Sequence, residues 1–142
     1  MGKIDLKRVI VGGLLAGLIL NVADWLLYGL YLAPDFEAAM LALGKQPVGG
    51  SAIARFVVLD FLWGILLVYL YAAIRPRFGP GLRTAVHAGL LLWMAAVLFH
   101  AIGEGAYGLF PQRLYVIGTV ASFIYIPLAT VVGAWAYKEA EA

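Results

Sequence analysis

Four stretches of the chain are apolar almost without a break: about Val9 to Leu32, Ala52 to Ile74, Thr84 to Leu109 and Leu114 to Tyr137. Roughly 20 apolar residues carry a helix across about 30 Å of hydrocarbon, and each stretch is that long. Transmembrane β-strands would be about 10 residues long and would alternate polar with apolar positions; these stretches do neither. The pattern predicts an all-α polytopic membrane fold, a single domain over residues 1–142 built as a bundle of four transmembrane helices. A shorter period lies between the first two spans. Pro34 is expected to end the first, and Asp35 to cap a short helix over about 35–43. There Phe36, Met40 and Leu43 share one face and Glu37 points elsewhere. This predicts an amphipathic helix lying on the outer leaflet, or a lid over an outward-facing site. Gly44 and Pro47-Val48-Gly49-Gly50 release it, and Ser51 is placed to cap the second span.

Composition agrees with lipid as the solvent. Hydrophobic residues make up 64% of the 142 and charged residues 13%, against about 25% charged in soluble domains. With no cysteine, disulfides, thiol catalysis and thiolate metal sites are excluded. The net charge of +2 gathers at helix ends, so it reads as topology and not as nucleic-acid binding. Lys3, Lys7, Arg8, Arg75, Arg77, Arg83 and Lys138 fall on one side, and Lys45, Arg55 and Arg113 on the other. Seven against three predicts both termini on the cytoplasmic side of the membrane. The first span is too long for a signal-peptide core and lacks a good small-x-small site after it, so it is expected to stay as a membrane helix. Arg75-Pro76-Arg77-Phe78-Gly79-Pro80-Gly81 reads as a tight cytoplasmic turn that cannot continue a helix.

Small residues mark where helices approach closely: Gly13 with Gly17, Gly118 with Ser122, and Ala129 with Gly133. These pairs hold either the four helices of one chain or two chains together. Pro127 is expected to kink the last helix. Asn21…Tyr28-Gly29-Leu30-Tyr31 matches His100…Tyr107-Gly108-Leu109-Phe110 in spacing, the trace of a parallel repeat of two hairpins.

Charge inside a membrane costs about 2.5–3.5 kcal/mol per residue on insertion scales, so the polar positions are informative. Asp24, Arg55, Asp60, His100, Glu104 and Arg113 all fall in the outer half of their spans; the inner half has only His87. Asn21, Asp24 and Tyr28 share one helix face, and His100, Glu104 and Tyr107 another. Turned from lipid, these faces and Asp60 predict a polar pocket open to the outside, with Arg55 and Arg113 as charge partners. Three readings compete. The acids pair with Arg55, Arg113 and His100 and tie helices together. Or the pocket binds or moves a proton, a cation or a small amphipathic ligand, since buried carboxyls near a histidine exchange protons readily. Or His100, Glu104, Asp24 and Asp60 hold a metal, as in a metal-dependent enzyme; the metal and any cofactor are left unknown, for no HExxH or paired ExxH is present. No nucleophile triad, phosphate loop or dinucleotide motif occurs, which favours a non-catalytic role.

Leu20-Asn21-Val22-Ala23-Asp24-Trp25-Leu26-Leu27-Tyr28-Gly29, with Leu32-Ala33-Pro34-Asp35-Phe36 and Met40, resembles the first helix and loop of small uncharacterised bacterial four-helix membrane proteins. The resemblance implies an inner-membrane protein and carries over no catalytic residue. The function expected is binding of an ion, small ligand or partner in the pocket, or service as an accessory subunit of a larger membrane complex. The partners expected are the lipid bilayer and either a homo-oligomer or that complex. The charge bias yields a direct test. In intact cells, a cysteine replacing Lys45 should react with a membrane-impermeant thiol reagent and one replacing Gly79 should not; the reverse pattern contradicts the orientation.

Overall fold

The computed structural model describes residues 3–137. It is an all-α bundle of four long apolar helices and one short one: α1 (Leu6–Tyr31), α2 (Ala33–Ala42), α3 (Gly50–Phe78), α4 (Leu82–Gly105) and α5 (Gln112–Ala136). The four long helices are long and apolar enough to cross a membrane. Their outward faces keep large apolar side chains exposed, among them Leu18, Phe56, Leu62, Ile102 and Ile124, which is consistent with membrane-spanning helices. Lys138, one of the seven positive residues of the topology argument, lies outside the described residues.

The helix ends differ from the sequence expectation in ways that have local causes. Asp5 caps α1, its carboxylate accepting the Arg8 N–H at 3.2 Å. Pro34 does not stand between two helices. It sits in the first turn of α2, where its missing N–H has no helical partner to lose. Asp35 is therefore inside α2 and free to pair elsewhere. Ser51 caps nothing: α3 starts at Gly50, with Gly49 before it and no side-chain capping bond. At its far end α3 runs on through Arg75-Pro76-Arg77 to Phe78. Pro76 falls in the last turn, where the loss of one bond is tolerated and its fixed φ still suits a helix. The turn proper is Gly79-Pro80-Gly81, made possible by φ of 83° and 120° at its two glycines. Thr84 Oγ donates to the Gly79 carbonyl at 2.7 Å, and Tyr71 Oη accepts the Gly81 N–H at 3.2 Å, which ties the turn to the bundle.

The larger of two buried clusters lies at one end. Val9, Ala16 and Leu20 of α1 pack with Leu67, Val68, Tyr71 and Ala72 of α3, Ala85 and Ala88 of α4, and Ala129 and Ala134 of α5. The start of α1, the α3–α4 turn and Tyr137 all lie at this end, which we call terminal. There the Asp5 N–H reaches Tyr137 Oη at 3.4 Å, and the Tyr71 and Tyr137 rings meet edge to face at 6.1 Å. At the opposite, distal end packing is sparse. No residue of α3 from 50 to 63 is buried, and none of α4 from 90 to 105. A small second cluster holds the distal end: Leu32, Ala39 of α2 and Leu114 of α5, flanked by Leu27, Phe36, Phe110 and Ile117.

The glycine pairs act within the chain. A Cβ on Gly64 of α3 would fall on the backbones of Gly13 and Gly17; one on Gly17 would lie 2.7 Å from the Phe61 Cα. Gly12 likewise meets Gly133, and Gly89 meets Pro127. In lipid, where burial supplies no drive, such close approach gains the dispersion contact that holds helices together. Gly64→Leu should therefore force α1 and α3 apart and destabilise by about 1–3 kcal/mol or more. Gly103→Ala, on an open face of α4, should be neutral or stabilising by roughly 0.5–1 kcal/mol. Thermal unfolding in detergent measures both; a neutral Gly64→Leu contradicts the packing.

Candidate functional site

Just distal to the glycine contact, two carboxyl groups meet. Gly17 lies against the Asp60 carbonyl, and one turn on, the Asn21 carboxamide bridges its own helix and the next, donating to Gly17 O at 3.0 Å and Val57 O at 3.3 Å. Side chains on a helix lean toward its N-terminus. Because α1 and α3 run antiparallel, Asp24 leans toward the core and Asp60 leans out toward it. Their carboxyl groups come within hydrogen-bonding reach of one another. From α5, Tyr125 Oη donates to Asp24 Oδ1 at 2.5 Å. Tyr28, one turn beyond Asp24, sends its hydroxyl to Gly118 of α5, where the absence of a Cβ makes the room. The centre thus gathers oxygen groups from three helices: Asp24 and Tyr28, Asp60, and Tyr125.

The helix itself changes at this point. Immediately after Asp24, the segment Trp25–Tyr31 is π-helical, closed by the Leu32 N–H to Leu27 O at 2.7 Å. A second π segment, Met94–Leu98, interrupts α4. Such widened turns are uncommon and recur at functional sites. One lies in each of the two helices that the repeat pairs, but at different offsets. The first begins four residues after Asn21 and the second ends two before His100, and the paired residues have unlike surroundings. Beside the centre, Trp93 Nε1 donates to both Ser122 Oγ and Thr119 O at 3.1 Å, fixing α4 to α5.

The rest of the predicted constellation does not join it. His100 and Glu104 pair with each other at 3.4 Å along one face of α4, but their side chains are 65% and 46% exposed. Tyr107 is 79% exposed. The distal half of α4, with its interrupted ladder and no buried residue, turns this face outward, and the matched depth of His100 and Asp24 brings no contact. Arg113 pairs instead with Asp35, donating to both carboxylate oxygens at 2.9 and 2.8 Å. Arg55 is exposed beside a shallow depression of about 470 Å³ lined by Ala54, Val58 and Leu59, and has no ion-pair partner among the described residues. The expected cross-helix pairing of acids with Arg55, Arg113 and His100 is thus absent at Asp24 and Asp60. Among the described residues no three histidine or carboxylate side chains converge as a metal site would need. The four ligands suggested by the sequence are split between two faces.

Sequence reasoning passed over Tyr125. It lies within Ser122-Phe123-Ile124-Tyr125-Ile126, where nothing but its hydroxyl at mid-span sets it apart from an apolar helix. That depth was the available signal, since a phenol far from the interface needs a partner. No protein-family model, curated protein or solved structure matches the chain.

The geometry separates the two candidate groups by stability. Tyr125→Phe removes the donor to Asp24 and should cost about 1–3 kcal/mol, the range for leaving a buried acceptor unsatisfied. His100→Gln, on an exposed face, should change stability by less than about 0.5 kcal/mol. Unfolding in detergent distinguishes them; equal effects would place the two residues in one cluster after all.

Proposed function

We propose that the protein is a non-catalytic inner-membrane protein, its termini in the cytoplasm, that binds one proton or one small monovalent cation between Asp24 and Asp60. The observation carrying this reading is the apposition of two carboxyl groups, inside an apolar bundle, with no lysine or arginine beside them among the described residues. Like charges in contact cannot both persist in a medium of low dielectric constant; a shared proton or a bound cation relieves them. A carboxyl pair kept only for stability would be a poor device, because apolar replacements of similar volume pack as well at no electrostatic cost. Tyr125 donates the hydroxyl hydrogen bond that orients Asp24, and Tyr28, one turn beyond Asp24, sets a second hydroxyl against Gly118. Between this centre and the terminal end the helices are packed with apolar and small residues, so the reading is a binding site entered from the distal side and not a continuous path. The excess of positive residues at the terminal end supports a cytoplasmic location for that end.

Carboxyl chemistry tests the reading. An apolar carbodiimide reacts with a protonated carboxyl in a lipid-like environment and leaves a stable adduct that mass spectrometry locates. In detergent or liposomes the label should fall on Asp24 or Asp60. It should diminish as pH rises or as sodium is added at constant pH, and vanish in Asp24→Asn/Asp60→Asn. Absence of label on both residues at every pH, with label elsewhere on the chain, contradicts the proposal.

A further inference from the structure

Helix α2 stands over the Tyr28 side of this centre, and the way it is attached is unusual. The Phe36 ring packs edge-on against Tyr28, centroids 5.6 Å apart, and at a tilt against Phe110 at 5.8 Å. Tyr28 in turn lies between Phe36 and Asp24, its hydroxyl on Gly118. A layered order results, from Asp24 outward through Tyr28 and Phe36 to the backbone of α2. The apolar docking is light, since Ala39 is the one buried residue of the helix. The polar docking is a single ion pair. Arg113 Nη1 holds both oxygens of Asp35, and no other side-chain hydrogen bond or ion pair joins α2 to the bundle among the described residues. Past Ala42 the chain is slack: residues 43–50 are all exposed, Gly44 takes φ of 70°, and a Cβ on Gly44, Gly49 or Gly50 would meet nothing. Displacing α2 therefore need not disturb α3.

We propose that α2 is a strap over the distal approach to the carboxyl centre, latched by the Asp35–Arg113 ion pair and hinged at the π-helical end of α1. Elements held by few buried apolar contacts open locally at low free-energy cost, and the wider π turn leaves the Leu32 junction with a non-standard hydrogen-bond ladder on which to pivot. When the latch parts, Phe36 leaves Tyr28, and the α5 face from Leu114 to Ile117 is uncovered. The pair is exposed to solvent, so its hold weakens with salt. The inference rests on the proposed function for its purpose, the admission of a proton or cation. Its mechanics stand apart from that reading and are tested apart from it.

The chain has no cysteine, so a single one reports cleanly. Ile117, half-buried against the Leu32–Ala39–Leu114 cluster on which α2 rests, is replaced as Ile117→Cys, and the rate of reaction with an impermeant thiol reagent is followed in liposomes. Asp35→Asn or Arg113→Gln should raise the rate up to about fivefold, the range an exposed ion pair controls. The exchange Asp35→Arg with Arg113→Asp should return it toward the original value. Added salt should accelerate the original protein and leave Arg113→Gln unchanged. Phe36→Ala, which loosens the apolar contact without touching the latch, guards against a variant that fails to fold, and should also accelerate reaction. Equal rates in all these proteins, or no recovery in the charge exchange, overturn the strap. Because no ligand enters this measurement, it fails or succeeds independently of carbodiimide labelling at Asp24 and Asp60.

Discussion

Gly13, Gly17 and Gly64 let the backbones of α1 and α3 touch, and much of the rest depends on that contact. A bundle in lipid has no hydrophobic drive to bring helices together and relies on packing and polar contacts. Removing three side chains at one crossing gains packing along both helices. It also fixes their register, since a shift of one turn would drive Ile65 or Phe61 into the opposite backbone. Register and antiparallel sense together bring Asp24 and Asp60 to the same place, one leaning up and the other down. The carboxyl pair is a consequence of the glycine contact, and Tyr125 reaches it because Gly12 and Gly133 bring α5 equally close to α1.

The division into a packed terminal end and an open distal end arises from where the small residues lie. At the first, Gly12, Gly13, Gly17, Gly64, Gly89 and Gly133 each meet a neighbouring helix, whereas at the second Gly118 is occupied by Tyr28 and Gly103 faces open space. Distal α3 carries Ile53, Phe56, Val58 and Leu62, bulky side chains that suit contact with lipid better than with a neighbouring helix. The polar centre stands at the boundary between these regions. It is close enough to the core to be positioned by it and close enough to the open half to be reached. This position suits the proposed exchange of a proton or cation.

The number of helices, their spans within a few residues and the close-packing role of Gly13 and Gly17 were legible in the sequence, because apolar length and small-residue spacing are local signals. Asp24 and Asp60 were legible as costly groups in lipid. Their neighbours were not. Equal depth on four helices made His100 and Glu104 look like partners, but depth does not give rotation, and the face of α4 that carries them is exposed. Arg113 looked like a counter-ion for the intramembrane acids; Asp35 took it, once Pro34 proved to lie inside α2 and left Asp35 on the helix face toward α5. Pro76 shows the same limit in reverse, a residue read as a stop that the last turn of a helix accommodates.

Infrared difference spectroscopy of the reconstituted protein addresses the central claim most directly, for it sees the carboxyl groups themselves. If Asp24 and Asp60 share one proton or hold a cation, raising the pH or adding sodium should remove a protonated-carboxyl carbonyl band and add carboxylate bands. The change should be lost in Asp60→Asn and altered in Tyr125→Phe, which strips the hydrogen bond from Asp24. A spectrum without a titrating protonated carboxyl, or one that survives unchanged when both aspartates are replaced by asparagine, would contradict the account.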